Sequence, residues 1–259
     1  MTGAKDKNLI SIIVATYNSG ATVLQTLSSI ISQTHTNWEV ILQDGGSIDD
    51  TIAIARALRD DRINIHEEQD LGIYDAMNKG ISKANGVIIG ILNSDDMYAS
   101  STILETIAKV FIDDADMEAV YGNISFFDDR TPDKVSRYWK SKPYYESFFE
   151  DGNVPPHPSL YLRSSVYDKV GRFNLSLEIG ADYEFMLRML RIHKIRSYYL
   201  DKTVVNMRLG GKSTAGLRSL VKSFKEVNRA WEINQLEKPS FFYVKRYIKK
   251  LVQLVNKSQ

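Results

Sequence analysis

The sequence predicts an α/β fold in which a mostly parallel sheet is flanked by helices and followed by a helical C-terminal extension. Short runs rich in β-branched and apolar residues alternate with amphipathic segments along the first half of the chain. Each of the first four runs ends in a polar turn. Strands that alternate with helices in this way form parallel sheets with both faces covered.

The first half of the chain contains four strand–helix pairs. The predicted strands cover residues 9–15, 38–42, 63–67 and 87–92, and the predicted helices cover residues 21–33, 49–59, 73–84 and 102–112. Apolar residues recur every three or four positions in the helical segments, as expected for helices with one buried face. Asn18 or Ser19 is the expected N-cap of the first helix, and Asp49 that of the second.

The second half of the chain is less regular. We predict strands at residues 119–127 and 196–201, and helices at residues 164–170, 182–193, 217–236 and 241–256. Residues 130–158 are rich in proline, aromatic and charged residues, which indicates a long irregular excursion of the kind that forms lids or binding loops. Residues 206–216 contain three glycines and are expected to form another loop.

Composition excludes several classes of protein. The 259-residue chain has a formal net charge of +1, which gives no support to nucleic-acid binding. It contains no cysteine, which excludes disulfides, thiolate metal sites and a cysteine nucleophile. No apolar run approaches the ~18 residues of a membrane span. The N-terminal segment lacks a secretory-signal pattern, so we expect a cytoplasmic protein.

The C-terminal segment is strongly basic. From Lys238 onward it contains six lysine or arginine residues and no acidic residue, interleaved with apolar residues at helical spacing. Two interpretations stay open. The helix either lies on an anionic membrane surface or packs on the body of the protein and exposes its lysines to solvent.

Asn93, Ser94, Asp95 and Asp96 directly follow the buried strand predicted at residues 87–92. Ligands of open α/β sheets collect at the carboxyl ends of strands. Two adjacent carboxylates repel each other unless a cation faces them, and hard oxygen ligands suit Mg²⁺ or Mn²⁺ that arrives with phosphate. The segment indicates a metal–diphosphate site or, alternatively, a turn that caps the next helix.

Polar turns follow the first two strands as well. Thr16, Tyr17 and Asn18 end the first strand, at an edge where nucleotides bind and where Tyr17 can lie against a base. Asp44 ends the second strand and is placed to accept a hydrogen bond from a base N–H, while Gly45 allows the backbone to approach closely. Helix capping and a tight turn are the alternative roles of these segments.

The third strand leads into a segment that begins at Asp70 and becomes helical near residue 73. Asp75, Asn78 and Lys79 fall within about one turn of each other on that helix. The segment is therefore a candidate to face a diphosphate or ribose, and a solvent-exposed helix face is the alternative.

Together and in this order, the four segments resemble the inverting family-two glycosyltransferases of the GT-A fold, of the type that makes bacterial polysaccharides such as O-antigen and capsule. The resemblance covers roughly residues 9–215. It implies a Rossmann-like GT-A domain at residues 1–215, followed by a basic, helical, amphipathic extension at residues 216–259.

The resemblance implies roles for the turn residues. Tyr17 and Asp44 would contact the base of a nucleotide-sugar, usually uracil. Asp95 would contact ribose or sugar, and Asp96 would bind a Mn²⁺ or Mg²⁺ ion that bridges the diphosphate. Many members carry two acids in the second turn, but Gly45 stands at the second position here. Asp44 is then the remaining base-reading carboxylate of that turn.

The resemblance also implies a catalytic carboxylate later in the chain. Residues 180–188 resemble the family segment that places the general base at the start of a helix, and Asp182 matches that position. The preceding residue is commonly glutamate in the family, whereas this chain has Ala181. A carboxylate there takes the proton of the acceptor hydroxyl. The alternative role of Asp182 is to cap the helix at residues 183–193.

Two further residues are candidates for contacts with the substrates. His157 lies between prolines, which stiffen its backbone, and its imidazole can contact phosphate, metal or acceptor or simply face solvent. Lys212, in the glycine-containing segment 210–214, can close over the donor diphosphate. The segment is not a P-loop, because Asn206 stands where that motif needs glycine.

We therefore expect an enzyme that moves a hexose or N-acetylhexosamine from a UDP-sugar to a hydroxyl of a saccharide or lipid-linked saccharide. If the basic helix binds lipid, the reaction takes place at the inner face of the plasma membrane. The rival interpretation is a catalytically silent nucleotide- or carbohydrate-binding module. A nucleotidyltransferase is disfavoured because residues 15–20 contain no basic side chain, and a Rossmann dehydrogenase because no strand is followed by GxGxxG.

Overall fold

The computed structural model describes residues 8–210 and 216–255. Within these residues, nine strands form one mixed sheet. The strands are β1 (Ile10–Thr16), β2 (Trp38–Asp44), β3 (Ile63–Glu67), β4 (Ile88–Ile91), β5 (Met97–Tyr98), β6 (Ala119–Asp128), β7 (Thr131–Trp139), β8 (Tyr161–Arg163) and β9 (Ser197–Arg208). The helices are α1 (Val23–Ile31), α2 (Thr51–Ala57), α3 (Ile73–Lys83), α4 (Ile103–Asp113), α5 (Ser164–Val170), α6 (Ala181–Leu187), α7 (Gly216–Ile233) and α8 (Phe242–Val255).

Parallel pairing builds the half of the sheet that contains the N-terminal strands. Strands β3, β2, β1 and β4 lie side by side in that order and are all parallel. The register pairs Thr16 with Asp44 and Asp44 with Glu67, so the first three strands end at the same edge. In the other half, β8 is antiparallel to β4 and β6, β9 is parallel to β6, and β5 is antiparallel to β9.

Alternate residues of the central strands enter two separate hydrophobic cores. Ile10, Ile12 and Val14 of β1 face the core that contains buried residues of α1, α2 and α4. Ile13 and Ala15 face the core that contains buried residues of α3, α5, α6 and α7. Because successive side chains of a strand point to opposite faces, helices cover both faces of the sheet, as the sequence predicted.

The prediction of an irregular segment at residues 130–158 was partly wrong. Its first part forms β7, which pairs antiparallel with β6. Arg137 of β7 covers the ring of Phe126, with the guanidinium carbon 4.3 Å from the ring centroid. Because a charged side chain packs on an aromatic ring here, the sequence of β7 does not show the apolar alternation by which a strand is usually predicted. Strand β9 is also longer than predicted and includes residues 206–208, which were expected to form a loop.

The helix caps expected at three places were wrong. Asp50, and not Asp49, precedes α2, although the Asp49 carboxylate accepts the N–H of Thr51 at 3.1 Å. Thr22, and not Asn18 or Ser19, precedes α1, because a turn that starts at Ser19 comes before the helix. Gly180 precedes α6. Asp182 is therefore the second residue of that helix and not its N-cap.

The C-terminal helices pack on α6. Trp231 of α7 and Phe242 of α8 are buried, their ring centroids lie 5.5 Å apart, and both belong to the same core as Tyr183. Within the described ranges, no helix has the length and apolar character needed to cross a membrane.

Candidate active site

The turns that follow β1 and β2 are joined by hydrogen bonds. The N–H of Gly45 donates to the carbonyl of Thr16 at 2.9 Å. The N–H of Asn18 donates to the Ser47 hydroxyl at 2.8 Å, and the Asn18 side-chain oxygen accepts the N–H of Ile48 at 3.0 Å. The side chain of Asn18 therefore fixes the spacing between the two turns.

The first turn is also joined to the turn after β4. The hydroxyls of Ser19 and Ser94 lie 2.8 Å apart, and the Thr22 hydroxyl donates to the Ser94 carbonyl at 2.8 Å. A further bond joins the first and second turns, since the Asp49 carboxylate accepts the N–H of Gly20 at 2.9 Å. The structure thus brings the predicted turns together at one edge of the sheet.

Asp44 has a structural role in the second turn. It is 1% exposed, and its carboxylate accepts the N–H groups of Gly46 at 2.9 Å and Ser47 at 2.8 Å, together with the Ser47 hydroxyl. The carboxylate therefore stabilises the turn in which it lies. Tyr17, beside this turn, is 49% exposed.

The carboxylate of Asp70 lies directly over Gly45. A Cβ at Gly45 would come within 2.3 Å of Asp70 Oδ2, a distance that side chains do not tolerate. Asp70 is held there because its Oδ1 accepts the N–H of Gly72 at 2.8 Å. Asp70 therefore fills the space that a side chain at position 45 would need, and it brings a carboxylate from the third segment to the second turn.

The predicted site residues of α3 have partners within the protein. Lys79 donates to the Gln69 carbonyl at 2.6 Å and lies 3.3 Å from the Asp75 carboxylate. The carboxamide of Asn78 exchanges two hydrogen bonds with the backbone of Phe173, at 2.9 and 3.0 Å. These contacts fasten α3 to neighbouring segments, and contact of these three side chains with a diphosphate stays a prediction.

Asp96 is buried at the end of the β4 turn. It is 1% exposed, and its carboxylate accepts the Asn93 side-chain N–H at 2.8 Å and the Arg208 backbone N–H at 3.1 Å. Burial, with a further contribution from the negative charge of Asp95, raises the pKa of Asp96 to about 7. Burial also raises the pKa of Asp95. The positive charge of Arg208 opposes both pKa shifts, but burial outweighs it.

Divalent cations of the Mg²⁺ type fit this carboxylate pair. No group of three or more histidine and acidic side chains suited to hold a metal occurs in the part of the chain that the structure describes. Asp96, with Asp95 beside it, would therefore supply only part of a six-oxygen coordination shell. Phosphate oxygens and water complete such shells, as is usual for Mg²⁺ and Mn²⁺ at nucleotide sites.

The Asp182 carboxylate is held by α3 and by its own helix. Its Oδ1 accepts the N–H of Tyr183 at 2.7 Å and lies 3.2 Å from the Tyr74 hydroxyl. Burial, and then the negative charge of Asp182, raise the pKa of Tyr74 far above its ordinary value. Tyr74 therefore stays protonated, and its single hydroxyl hydrogen is shared between the Ile179 carbonyl at 2.7 Å and the Asp182 carboxylate at 3.2 Å.

His157 lies close enough to Asp182 for the two to interact. Burial lowers the pKa of the imidazole, and the Asp182 charge opposes that shift. The ring is edge-on to Phe173, with centroids 5.5 Å apart. A neutral imidazole therefore stands beside the predicted base.

The sequence interpretation missed two residues of this site and named one that the structure leaves untested. Arg208 was assigned to a loop, yet it lies at the end of β9, where its backbone N–H donates to the Asp96 carboxylate and its side chain donates to the Asp95 carbonyl. The glycines at positions 210 and 211, which mark the end of the strand, were the sequence signal that could have placed it. Tyr74 lies in the third segment, and no role was predicted for it from the sequence. Lys212 lies outside the described residues.

The geometry defines the class of protein: an α/β protein with the GT-A fold, in which polar turns lie at the carboxyl ends of parallel strands. Sequence comparison identifies the family. Residues 11–168 match the model described as Glycosyl transferase family 2, and the chain belongs to that family. It is therefore a glycosyltransferase.

Relatives and solved structures agree with this assignment. A PGL/p-HBAD biosynthesis glycosyltransferase of Mycobacterium bovis (strain BCG / Pasteur 1173P2) is 28% identical over 201 residues, 76% of each chain. TarS 1-349 of S. aureus in complex with UDP-GlcNAc has a TM-score of 0.60 at 17% identity, over 96% of this chain and 79% of that one. A longer TarS chain is covered over 43% of its length.

A second solved structure shares the fold. The mannosyltransferase PcManGT of Pyrobaculum calidifontis, in complex with GDP-Man and Mn²⁺, has a TM-score of 0.62 at 17% identity, over 96% of this chain and 76% of that one. At such identities the likeness shows the fold alone. These two complexes contain different nucleotide bases, uracil and guanine, so they do not identify the donor base of this chain.

Proposed function

We propose that this glycosyltransferase moves a hexose or N-acetylhexosamine from a UDP-sugar to a hydroxyl of a saccharide or lipid-linked saccharide, with inversion, in cell-surface polysaccharide synthesis. The observation that carries the proposal is the linkage of the polar turns into one surface, with the Asp95–Asp96 pair in it and Asp182 tied to the third segment through Tyr74. The proposed donor-binding turns are thus linked to one another, and the candidate base is linked to the third of the four segments.

Asp182 is the residue that we propose as general base. A carboxylate that takes the proton of the acceptor hydroxyl makes that oxygen a better nucleophile. The oxygen then attacks the anomeric carbon from the face opposite the leaving nucleoside diphosphate, and the configuration inverts. Tyr74 donates to the carboxylate and fixes its direction, which leaves its other oxygen for the acceptor.

The acidic turns are proposed to bind the donor. Asp96 would hold Mn²⁺ or Mg²⁺, which neutralises charge on the leaving diphosphate when it is bound, and Asp95 would contact ribose or sugar. Tyr17, Asp44 and Asp70 lie around the second turn and would contact the base and ribose. The TarS complex with UDP-GlcNAc supports a uridine nucleotide for a protein of this fold.

A membrane-bound acceptor is supported by α8. Three large apolar side chains on one face of this helix region are exposed: Phe241 (72%), Val244 (57%) and Ile248 (52%). Lys245 and Lys249 lie on the same helix. An apolar stripe beside lysines suits an anionic membrane surface. We therefore propose that the enzyme works at the inner face of the plasma membrane, with residues 216–259 as its basic extension.

A panel of nucleotide-sugars with Mn²⁺ tests the proposed function. Released nucleoside diphosphate is measured with and without a lipid-linked saccharide acceptor. We expect release from UDP-sugars and stimulation by the acceptor. Tight binding of UDP without release from any donor would instead identify a silent binding module, and release from GDP-sugars alone would refute the uridine assignment.

Gly45→Ala tests whether Asp70 belongs to the donor site. Gly45 does not have a positive φ, so the change adds a Cβ without straining the backbone, and this Cβ displaces the Asp70 carboxylate. A displaced Asp70 carboxylate can no longer contact the nucleotide, so we expect the Kd for UDP with Mn²⁺ to rise about tenfold by calorimetry, which corresponds to about 1.4 kcal/mol.

A double-mutant cycle supplies the control for this prediction. If Gly45→Ala acts through Asp70, then adding it to Asp70→Ala will cause little further loss of UDP affinity. Additive losses, or an unchanged Kd in Gly45→Ala, would contradict the role of Asp70.

A further inference from the structure

A carboxylate on α7 holds the segment that leads into α6. Glu226 is 8% exposed, and its Oε2 accepts the backbone N–H groups of Ile179 and Gly180, both at 2.8 Å. Its Oε1 accepts the N–H of Glu178 at 3.2 Å. Hydrogen bonds to a charged acceptor are stronger than those between neutral groups. One side chain from α7 therefore fixes three consecutive peptide units.

Helix α3 holds the same segment. The Tyr74 hydroxyl lies 2.7 Å from the Ile179 carbonyl and 3.2 Å from Asp182 Oδ1. The residue Ile179 thus has its N–H bonded to Glu226 and its carbonyl bonded to Tyr74. Because Asp182 follows only three residues later, a shift of this segment also displaces the Asp182 carboxylate.

Glycine at position 180 lets α7 come close. A Cβ at Gly180 would lie 3.1 Å from the Cβ of Glu226, closer than side chains normally pack. Farther along, the Trp231 indole donates to the Tyr183 hydroxyl at 2.9 Å, and the Asn234 side chain donates to Glu184 at 3.0 Å. Lys222 of α7 also pairs with the side chain of Glu178. Among these contacts, Glu226 is the side chain that bonds to the backbone of the segment before Asp182.

We propose that Glu226 is a positioning residue for Asp182. Its carboxylate sets the path of residues 178–180 and thereby the place of the Asp182 carboxylate relative to the bound donor and acceptor. This inference rests on the proposed function, in which Asp182 accepts the proton. It also makes α7, outside the GT-A domain that the resemblance implies, a part of the catalytic unit.

The test compares Glu226→Gln with Asn234→Ala, which removes a contact with Glu184 on the C-terminal side of Asp182 and leaves residues 178–180 untouched. Glutamine keeps the shape of the side chain, but it loses the charge and turns an amide N–H₂ toward backbone donors. For the donor that gives the fastest nucleoside diphosphate release, we expect kcat to fall roughly ten- to a hundredfold in Glu226→Gln. The donor KM of that variant, and both constants of Asn234→Ala, should stay within about twofold of wild type.

Hydrogen–deuterium exchange of the free protein adds a measurement that needs no substrate. The amides of residues 178–180 are expected to exchange about tenfold faster in Glu226→Gln and at the wild-type rate in Asn234→Ala. Exchange elsewhere in α6 and α7 shows whether the variant keeps its fold.

Several outcomes would overturn the positioning role. Equal losses of kcat in the two variants would indicate general destabilisation. Normal kcat in Glu226→Gln, with or without faster exchange, would show that the segment does not control the reaction. Failure of the proposed function is distinguishable, because it would appear as normal turnover in Asp182→Asn whatever Glu226→Gln does.

Discussion

Replacing Asp182 with asparagine is expected to lower kcat about a thousandfold, within the range that general bases contribute. Asparagine has the same shape, and its oxygen can still accept the N–H of Tyr183 and the Tyr74 hydroxyl. It cannot take a proton from the acceptor. The affinity for UDP with Mn²⁺ should not change, because Asp182 lies on α6 and not in the turns that would bind the donor.

Steady-state kinetics and calorimetry on the same preparations check this prediction. Asp168→Asn is the matched control, since Asp168 is an exposed acid on α5, and its kcat should equal that of wild type. Near-normal turnover in Asp182→Asn would remove the residue from the mechanism. A large loss of UDP affinity would show that the change disturbs the donor site.

The edge where the turns meet could be predicted from the sequence, because parallel strands bring their carboxyl ends to one edge whatever their side chains are. The observed register, with Thr16 beside Asp44 and Asp44 beside Glu67, is the direct consequence. The strands of the mixed half of the sheet were harder to predict from the sequence, because β8 is short and β7 contains an arginine that packs on an aromatic ring.

The direction of individual side chains could not be predicted. Asn78 was a candidate for the donor site, yet both groups of its carboxamide are bonded to Phe173, 95 residues away in sequence. The glycine at position 45, where many family members have an acidic residue, is explained by the Asp70 carboxylate, which occupies the space that a side chain there would need. Glu226 acts on a segment 46 to 48 residues away. Such pairings depend on the tertiary fold, and no local pattern reports them.

Replacing Asp96 with asparagine is expected to abolish most metal-dependent turnover, with a loss of about a thousandfold. A metal ion at a leaving diphosphate supplies several kcal/mol of transition-state stabilisation. Asparagine fits the buried space and can accept the Arg208 N–H, but it is a poor ligand for Mn²⁺. Calorimetric titration of Mn²⁺ in the presence of UDP measures the loss, with the exposed Asp116→Asn as the control.

The wild-type protein provides a second test of Asp96 through pH. Burial raises the pKa of Asp96 to about 7, so below that pH Mn²⁺ must displace a proton in order to bind. The affinity for Mn²⁺ with UDP should therefore tighten by up to about tenfold per pH unit as pH rises toward 7, and then level off. Without metal, the free energy of unfolding should decrease as pH increases from about 4 to 7, because the folded protein binds the Asp96 proton more tightly than the unfolded chain does. An Mn²⁺ affinity independent of pH between 5.5 and 7, or a dependence that persists in Asp96→Asn, would show that another group controls the metal site.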